Sequence, residues 1–177
     1  MTADFEYSGR LWCRNALGAD NLARLDRLCD LAGRPGARVG PSAALDAALS
    51  EESLTQVISR FLPGAKPVRV VSFDKSSTNN WAVPWHQDRV IAVKERHPVA
   101  GFKNWSLKAG IWHCEPPVEV LNKMLFVRIH LDDCDAESGA MQIALNSHSY
   151  GAVTSAEAAG IAERSGLKPA WRGGATF

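Results

Sequence analysis

The feature that most constrains this chain is a change of texture near Lys66. Before that point apolar residues recur at helical spacing. After it they come in short β-branched runs separated by turn residues. Over residues 20–31, Leu22, Leu25, Leu28 and Leu31 return every third position with Arg24, Asp26 and Arg27 between them, which predicts an amphipathic helix. Gly33-Arg34-Pro35-Gly36 marks a loop. Ser42 is placed to cap a short helix over 43–49, and Ser50-Glu51-Glu52-Ser53 opens another that Pro63-Gly64 stops after Phe61. Beyond Lys66, residues 68–73, 89–93, 110–114, 124–131 and 140–145 read as strands, with 124–131 the strongest. The Ala- and Glu-rich stretch 154–164 reads as a helix, set within an excursion between strands. Helices first and strands afterwards favour an α+β fold with an antiparallel sandwich or barrel over a parallel βαβ sheet.

A chain of 177 residues is expected to form one domain, with a mainly helical flank over 1–65 and a sheet-forming part over 66–177. Apolar residues make up 46% and charged residues 22%, the profile of a globular chain rather than a disordered one. A formal net charge of +1 supplies no field to draw in nucleic acid or an anionic membrane, so neither is an expected partner. Cys13, Cys29, Cys114 and Cys134 form no C-x-x-C pair, which argues against a zinc knuckle or a redox dithiol. Asp4, Glu6 and Arg10 interrupt the start where a signal peptide needs an apolar run, and no apolar stretch is long enough to span a bilayer. The expectation is a reduced, cytoplasmic protein of unspecified oligomeric state.

The chemistry-bearing feature is Trp85-His86-Gln87-Asp88. On an extended chain, positions i and i+2 project to the same side, so the His86 imidazole and the Asp88 carboxylate can converge on one ion. A neutral nitrogen donor, a hard anionic oxygen donor and a distant histidine make the facial triad of non-haem Fe(II) oxygenases. So short a pattern also occurs as a solvated turn carrying a histidine, and its surroundings decide between the two.

Those surroundings are Phe73-Asp74-Lys75, Asn79-Asn80-Trp81, Pro84-Trp85-His86-Gln87-Asp88, Gly101-Phe102, Trp105-Ser106-Leu107-Lys108-Ala109-Gly110 and Pro116-Pro117. They continue as Arg128-Ile129-His130-Leu131-Asp132-Asp133, Glu137-Ser138-Gly139-Ala140-Met141 and Asn146-Ser147-His148-Ser149-Tyr150-Gly151. In this order and over about half the chain, they resemble the phytanoyl-CoA dioxygenase family. The resemblance implies a double-stranded β-helix, a cupin-like jelly roll, with N-terminal flanking helices, so that 66–177 is its jelly-roll part. It also implies Fe(II) as cofactor and 2-oxoglutarate as cosubstrate. The activity implied is that of a dioxygenase that takes O2, hydroxylates a small organic substrate and releases succinate and CO2.

Carried onto this sequence, the resemblance makes His86 and Asp88 the iron ligands and catalytic residues. Trp105 and Lys108, in the W-x-x-K-x-G segment, would supply an aromatic wall and a cation for 2-oxoglutarate, and Lys75 is a further cation candidate. Either lysine can equally be a surface residue laying its stem on apolar neighbours. His97 is expected to be exposed. His113 and His130 fall in predicted strands, as hydrogen-bonded core residues or as donors behind a ligand. His148 lies in a turn that the family uses structurally. The acidic run 132–137 lacks EF-hand spacing and reads as a solvated turn.

In the family a distal iron histidine comes late, after a Gly-rich turn, and is followed by an arginine that clamps the far carboxylate of 2-oxoglutarate. Trp171-Arg172-Gly173-Gly174 is similar to the approach to that strand, yet no histidine follows His148 and no arginine follows Arg172. The expectation is therefore a C-terminally incomplete domain that lacks the last strands, the third ligand and the arginine. The alternative to an active dioxygenase is an inactive fragment or pseudoenzyme that keeps part of the fold.

Overall fold

The computed structural model describes residues 2–75, 78–79, 81–134 and 139–169. Its N-terminal part holds the helices α1 (Thr2–Ser8), α2 (Ala19–Cys29), α3 (Ala43–Leu49) and α4 (Glu52–Ser59), with strand β1 (Gly36–Val39) between α2 and α3. Strands β2 (Val70–Phe73), β3 (Ile91–Val93), β4 (Lys103–Lys108) and β5 (Ile111–Glu115) follow, then α5 (Val118–Leu121) and β6 (Gln142–Ala144). A 3-10 turn (Ser147–Tyr150), α6 (Ser155–Arg164) and β7 (Leu167–Pro169) complete the described order. The sheets are small and antiparallel: β1–β2, β3–β5–β4 and β6–β7. The chain thus mixes helices with antiparallel sheets, and no sheet closes into a barrel among the described residues. No described helix is long and apolar enough to cross a membrane.

The leucine periodicity does what its spacing predicts. Leu25 of α2 is buried together with Leu17, with Leu45 and Ala48 of α3 and with Leu54 of α4, and Leu22, Leu28, Leu49 and Ile58 pack around them. Asn21 Nδ2 donates to the Ala48 carbonyl at 3.0 Å, pinning α2 to α3. The caps follow the sequence as well: Ser42 Oγ accepts from Leu45 N at 3.1 Å, and Thr154 with Glu157 forms a reciprocal capping box on α6.

The β1–β2 ladder connects this helical core to the sheet-forming half. Its register pairs Val39 with Val70 and Arg38 with Val71. Side chains alternate across a strand, so one face carries the Val39–Val70 pair onto the helical core and the other carries Arg38, Val71 and Phe73 outward. The sequence reading ended a loop at Gly36; the loop is shorter, and Gly36 opens β1 opposite Phe73.

In the three-stranded sheet, β4 and β5 form a hairpin whose two turn residues, Ala109 and Gly110, have φ of +50° and +76°. Positive φ at both positions gives a turn whose twist matches the strands. At the other end the Glu115 carboxylate accepts from Asn104 Nδ2 at 2.7 Å and lies 3.8 Å from Arg89 Nε and 3.6 Å from Lys103 Nζ. The Asn104 hydrogen bond, followed by these cations, holds Glu115 below the usual carboxylate range.

One strong expectation is overturned. Residues 124–131, the best strand by composition, form no ladder. Ile129 and Leu131 instead pack on the helical core, while Phe126 and Val127 stay exposed. Burial here runs in blocks rather than alternating, with 126–128 exposed and 129–131 half-buried; no described strand lies alongside to accept the backbone bonds, and β propensity reflects packing context more than intrinsic backbone preference.

His113 sits on the central strand β5, 1% exposed, between Ser106 and Ala92. Its Nδ1–H donates to the Ile111 carbonyl at 2.8 Å, and its Nε2 has no hydrogen-bond partner among the described residues. Of the two sequence alternatives, it is a core histidine. Burial first, and then the fields of Arg38, Arg69 and Lys108, push its pKa below the ordinary 6.5 and outweigh the opposing Ile111 bond. His130 packs edge-on against Trp12 at 4.9 Å. All four cysteines carry free thiols, and burial raises that of Cys114.

Two predictions follow from this packing. Leu25→Ala should lower the unfolding free energy by about 2–5 kcal/mol in urea titration, because a buried leucine is replaced by a cavity. The lowered pKa of His113 means that the unfolded chain takes up a proton which the folded chain refuses. Stability should therefore fall as pH drops below about 6.5. His113→Leu should flatten that slope by up to about 1.4 kcal/mol per pH unit, read from urea midpoints between pH 7 and pH 5.

Candidate metal centre

The segment 81–90 enters β3 without pairing into a ladder. Even so, exposure alternates along its second half: Trp85, Gln87 and Arg89 are half-buried, and His86, Asp88 and Val90 are exposed. The expected projection of i and i+2 to one side is met, and the inward residues explain what holds it. Gln87 Nε2 donates to the Gly151 carbonyl at 2.7 Å, and Gln87 Oε1 accepts from Val153 N at 2.8 Å. Both ends of one amide thus grip backbone far along the chain. Arg89 ion-pairs with Glu115 on β5. On the near side, Lys75 Nζ donates to the Trp81 carbonyl at 2.9 Å and lies 4.3 Å over the Trp81 ring.

The turn gripped by Gln87 is itself docked. His148 Nε2 donates to the Glu6 carbonyl at 2.9 Å, and Asn146 N donates to the Ser8 carbonyl at 2.9 Å. Gly9, at φ +74°, lets this happen: a Cβ there would lie 2.4 Å from His148 Nδ1. His148 therefore holds the turn to the end of α1, consistent with the structural role its motif implied.

On the outward side, His86 Nδ1 lies 2.7 Å from the Pro84 carbonyl, an acceptor only, so Nδ1 carries the proton and the lone pair of the neutral ring sits on Nε2. That Nε2 is 3.6 Å from Asp88 Oδ1, with side chains 50% and 56% exposed. Two electron-pair donors this close repel unless a proton or a metal cation lies between them. Divalent metal–N and metal–O bonds of about 2.0–2.2 Å place two ligands on one ion roughly 3.0–3.7 Å apart. A metal-bound histidine characteristically donates its other N–H to a carbonyl or carboxylate, as His86 does to Pro84. The pair fits two ligands of a divalent ion. Among the described residues no group of three or more His, Cys, Asp or Glu side chains is arranged to hold a metal.

The predicted cosubstrate residues are not joined to this pair by any hydrogen bond or ion pair among the described residues. Trp105, on β4, donates Nε1–H to the Phe102 carbonyl at 3.3 Å and meets Trp112 edge-on at 6.4 Å, with the Arg96 guanidinium 5.9 Å from the Trp105 ring and 5.7 Å from that of Trp112. Lys108 ends β4 at the hairpin turn with its side chain exposed, and its carbonyl accepts from Arg38 Nη1 at 3.0 Å. Lys75 is engaged with Trp81, as given above. His97 is exposed and pairs with Glu95 at 3.1 Å. Residues 135–137 of the acidic run and the Trp171–Gly174 approach lie outside the described residues.

Sequence reasoning passed over Gln87, Arg38 and Arg69. Gln87 had a usable signal: between two outward ligands, the intervening residue must face inward and find partners. The two arginines had none. Comparison with family models, with curated proteins and with solved structures finds no match for the chain.

Gln87→Ala should remove one exposed and one partly buried hydrogen bond and cost about 1–3 kcal/mol. Hydrogen exchange should show the Val153 amide losing protection, with the α2–α3 amides unchanged.

Proposed function

We propose that the chain is a non-haem Fe(II)- and 2-oxoglutarate-dependent dioxygenase of the phytanoyl-CoA dioxygenase type, hydroxylating a small organic substrate with release of succinate and CO2. The observation that carries this reading is the His86–Asp88 pair: tautomer set by Pro84, Nε2 3.6 Å from Oδ1, and both side chains on one side of a chain held from behind by Gln87. The motif order from Phe73 to Gly151 supports it, and antiparallel strands behind a helical flank are compatible with a jelly roll.

In this reading His86 and Asp88 hold the iron together with a further donor. Bound iron supplies the redox chemistry that couples O2 to oxidative decarboxylation of the oxo-acid. The protein's own part is positional. Pro84 keeps the proton on Nδ1 and leaves Nε2 free to bind. Gln87 and Arg89 hold the ligand-bearing backbone from the inward side. Lys108, whose ammonium has no acidic partner among the described residues, is the better cation for a carboxylate, because that of Lys75 already holds Trp81. A second reading, a chain that keeps the site's geometry without turning over, is favoured by the donor count: two convergent ligands among the described residues rather than three.

The test is anaerobic Fe(II) titration with 2-oxoglutarate, followed by admission of O2. The expected result is a weak visible charge-transfer band, succinate formation, and roughly a ten-fold or greater loss of Fe(II) affinity in His86→Ala. Fe(II) affinity and succinate yield unchanged in that variant would sink the assignment. A band without succinate would favour the silent reading.

A further inference from the structure

The outward face of the β1–β2 ladder carries an unusual combination of side chains. Arg38, Arg69, Val71 and Phe73 lie on it, and with Trp81 they line an open cavity of about 480 Å³. That is within the range of small-molecule sites, roughly 300–1,000 Å³. Phe73 is 61% exposed, and its ring lies 6.1 Å from that of Trp81. Opposite it, Gly36 leaves room that a side chain would take, since a Cβ there would come within 3.1 Å of Phe73 Cδ1. An apolar floor, two aromatic rings and two guanidinium groups therefore share one concavity.

The charge is unbalanced. Among the described residues neither Arg38 nor Arg69 has an acidic partner; Arg38 donates to the Lys108 carbonyl, which brings the hairpin end beside it. The fields of Arg38, Arg69 and Lys108 all reach His113, so the three cations gather around one region. Like charges so gathered repel, and an anion among them relieves that repulsion. A guanidinium presents a planar fork of donors to a carboxylate or a phosphate, and aromatic walls favour a flat apolar body beside the anionic head.

We propose that this face binds a small organic anion with a flat apolar body, its carboxylate or phosphate held by Arg38 and Arg69 and its body lying against Phe73 and Trp81. The proposal stands apart from the iron reading, because binding here requires no metal.

The experiment uses the full chain without added metal and follows the indole N–H resonances of its six tryptophans, with Trp81 assigned through Trp81→Phe. Benzoate and phenyl phosphate are the probes, and benzyl alcohol and 2-oxoglutarate are the controls that lack either the charge or the flat body. The expected result is a saturable shift of the Trp81 resonance with at least one anionic probe and much weaker effects from both controls. Arg69→Gln should raise that probe's Kd by roughly ten-fold or more. Arg69 is the residue to change because it has no other described hydrogen bond, whereas Arg38 also supports the hairpin. Which of the two probes binds more tightly identifies the head group. Four results would overturn the proposal: no saturable shift with either anion, a Kd unchanged in Arg69→Gln, binding of benzyl alcohol as tight as that of the tighter anionic probe, or binding of 2-oxoglutarate as tight as that of the same probe.

Discussion

The amide of Gln87 joins two stretches of chain that no ladder joins, and the candidate centre depends on it. Residues 81–90 have no strand partner, so nothing periodic sets the direction of His86 and Asp88. What sets it is a series of contacts on the inward side: Lys75 on Trp81, Gln87 on Gly151 and Val153, and Arg89 on Glu115. The Gln87 contact is the central one, because a primary amide offers a donor and an acceptor and here both are used. Its target is in turn fixed to α1 by His148 and Asn146. The position of two outward side chains thus depends on contacts reaching the N-terminal helix, through hydrogen bonds rather than through a continuous sheet.

The β1–β2 ladder shows how a short element can be held in register. With four residues in each strand, few backbone bonds resist a slip. A slip of one residue would turn Arg38 toward the helical core and Val39 outward. Burying an unpaired guanidinium costs several kcal/mol, more than the few ladder bonds contribute, so the leucine core sets the register of a strand it touches on one side only. The same constraint obliges the arginines to face outward, beside Phe73 and the hairpin end. The packed helices, in this sense, shape the basic concavity without contributing a residue of their own to its wall.

Local signals in the sequence were read well where the physics is local. The leucine spacing of α2, the Ser42 and Thr154 caps, and the hydrophobic alternation of β2 depend on neighbours a few residues away, and each element appears in place. Two failures have one cause. β1 lies among Gly and Pro residues that mark loops, and it forms because Val39 can bury beside Val70; residues 124–131 have the composition of a strand and form none, and Ile129 and Leu131 at their end pack on the helices instead. In both cases a distant partner outweighed local preference. At the candidate centre, the convergence of His86 and Asp88 was legible from their spacing. The partners of Gln87, 64 and 66 residues away, were not. Nor was the gathering of Arg38, Arg69 and Lys108, whose sequence neighbourhoods share nothing.

The His86–Asp88 pair can be understood through the competition for one lone pair. Because the Pro84 carbonyl takes the Nδ1 proton, any cation that reaches Nε2 finds the ring already in the binding tautomer, and the ordering of that ring has been met during folding rather than on binding. A proton satisfies the same geometry, giving an ordinary surface ion pair. The two occupants differ in what they require of the surroundings. A proton needs only the carboxylate beside it, and two half-exposed side chains suffice. A metal ion must recover from its ligands the hydration it gives up, and each further donor shifts the balance toward it. The inward contacts of Gln87 and Arg89 matter most for the second case, since a chelate gains from donors already held in place, whereas a surface ion pair gains little from such order.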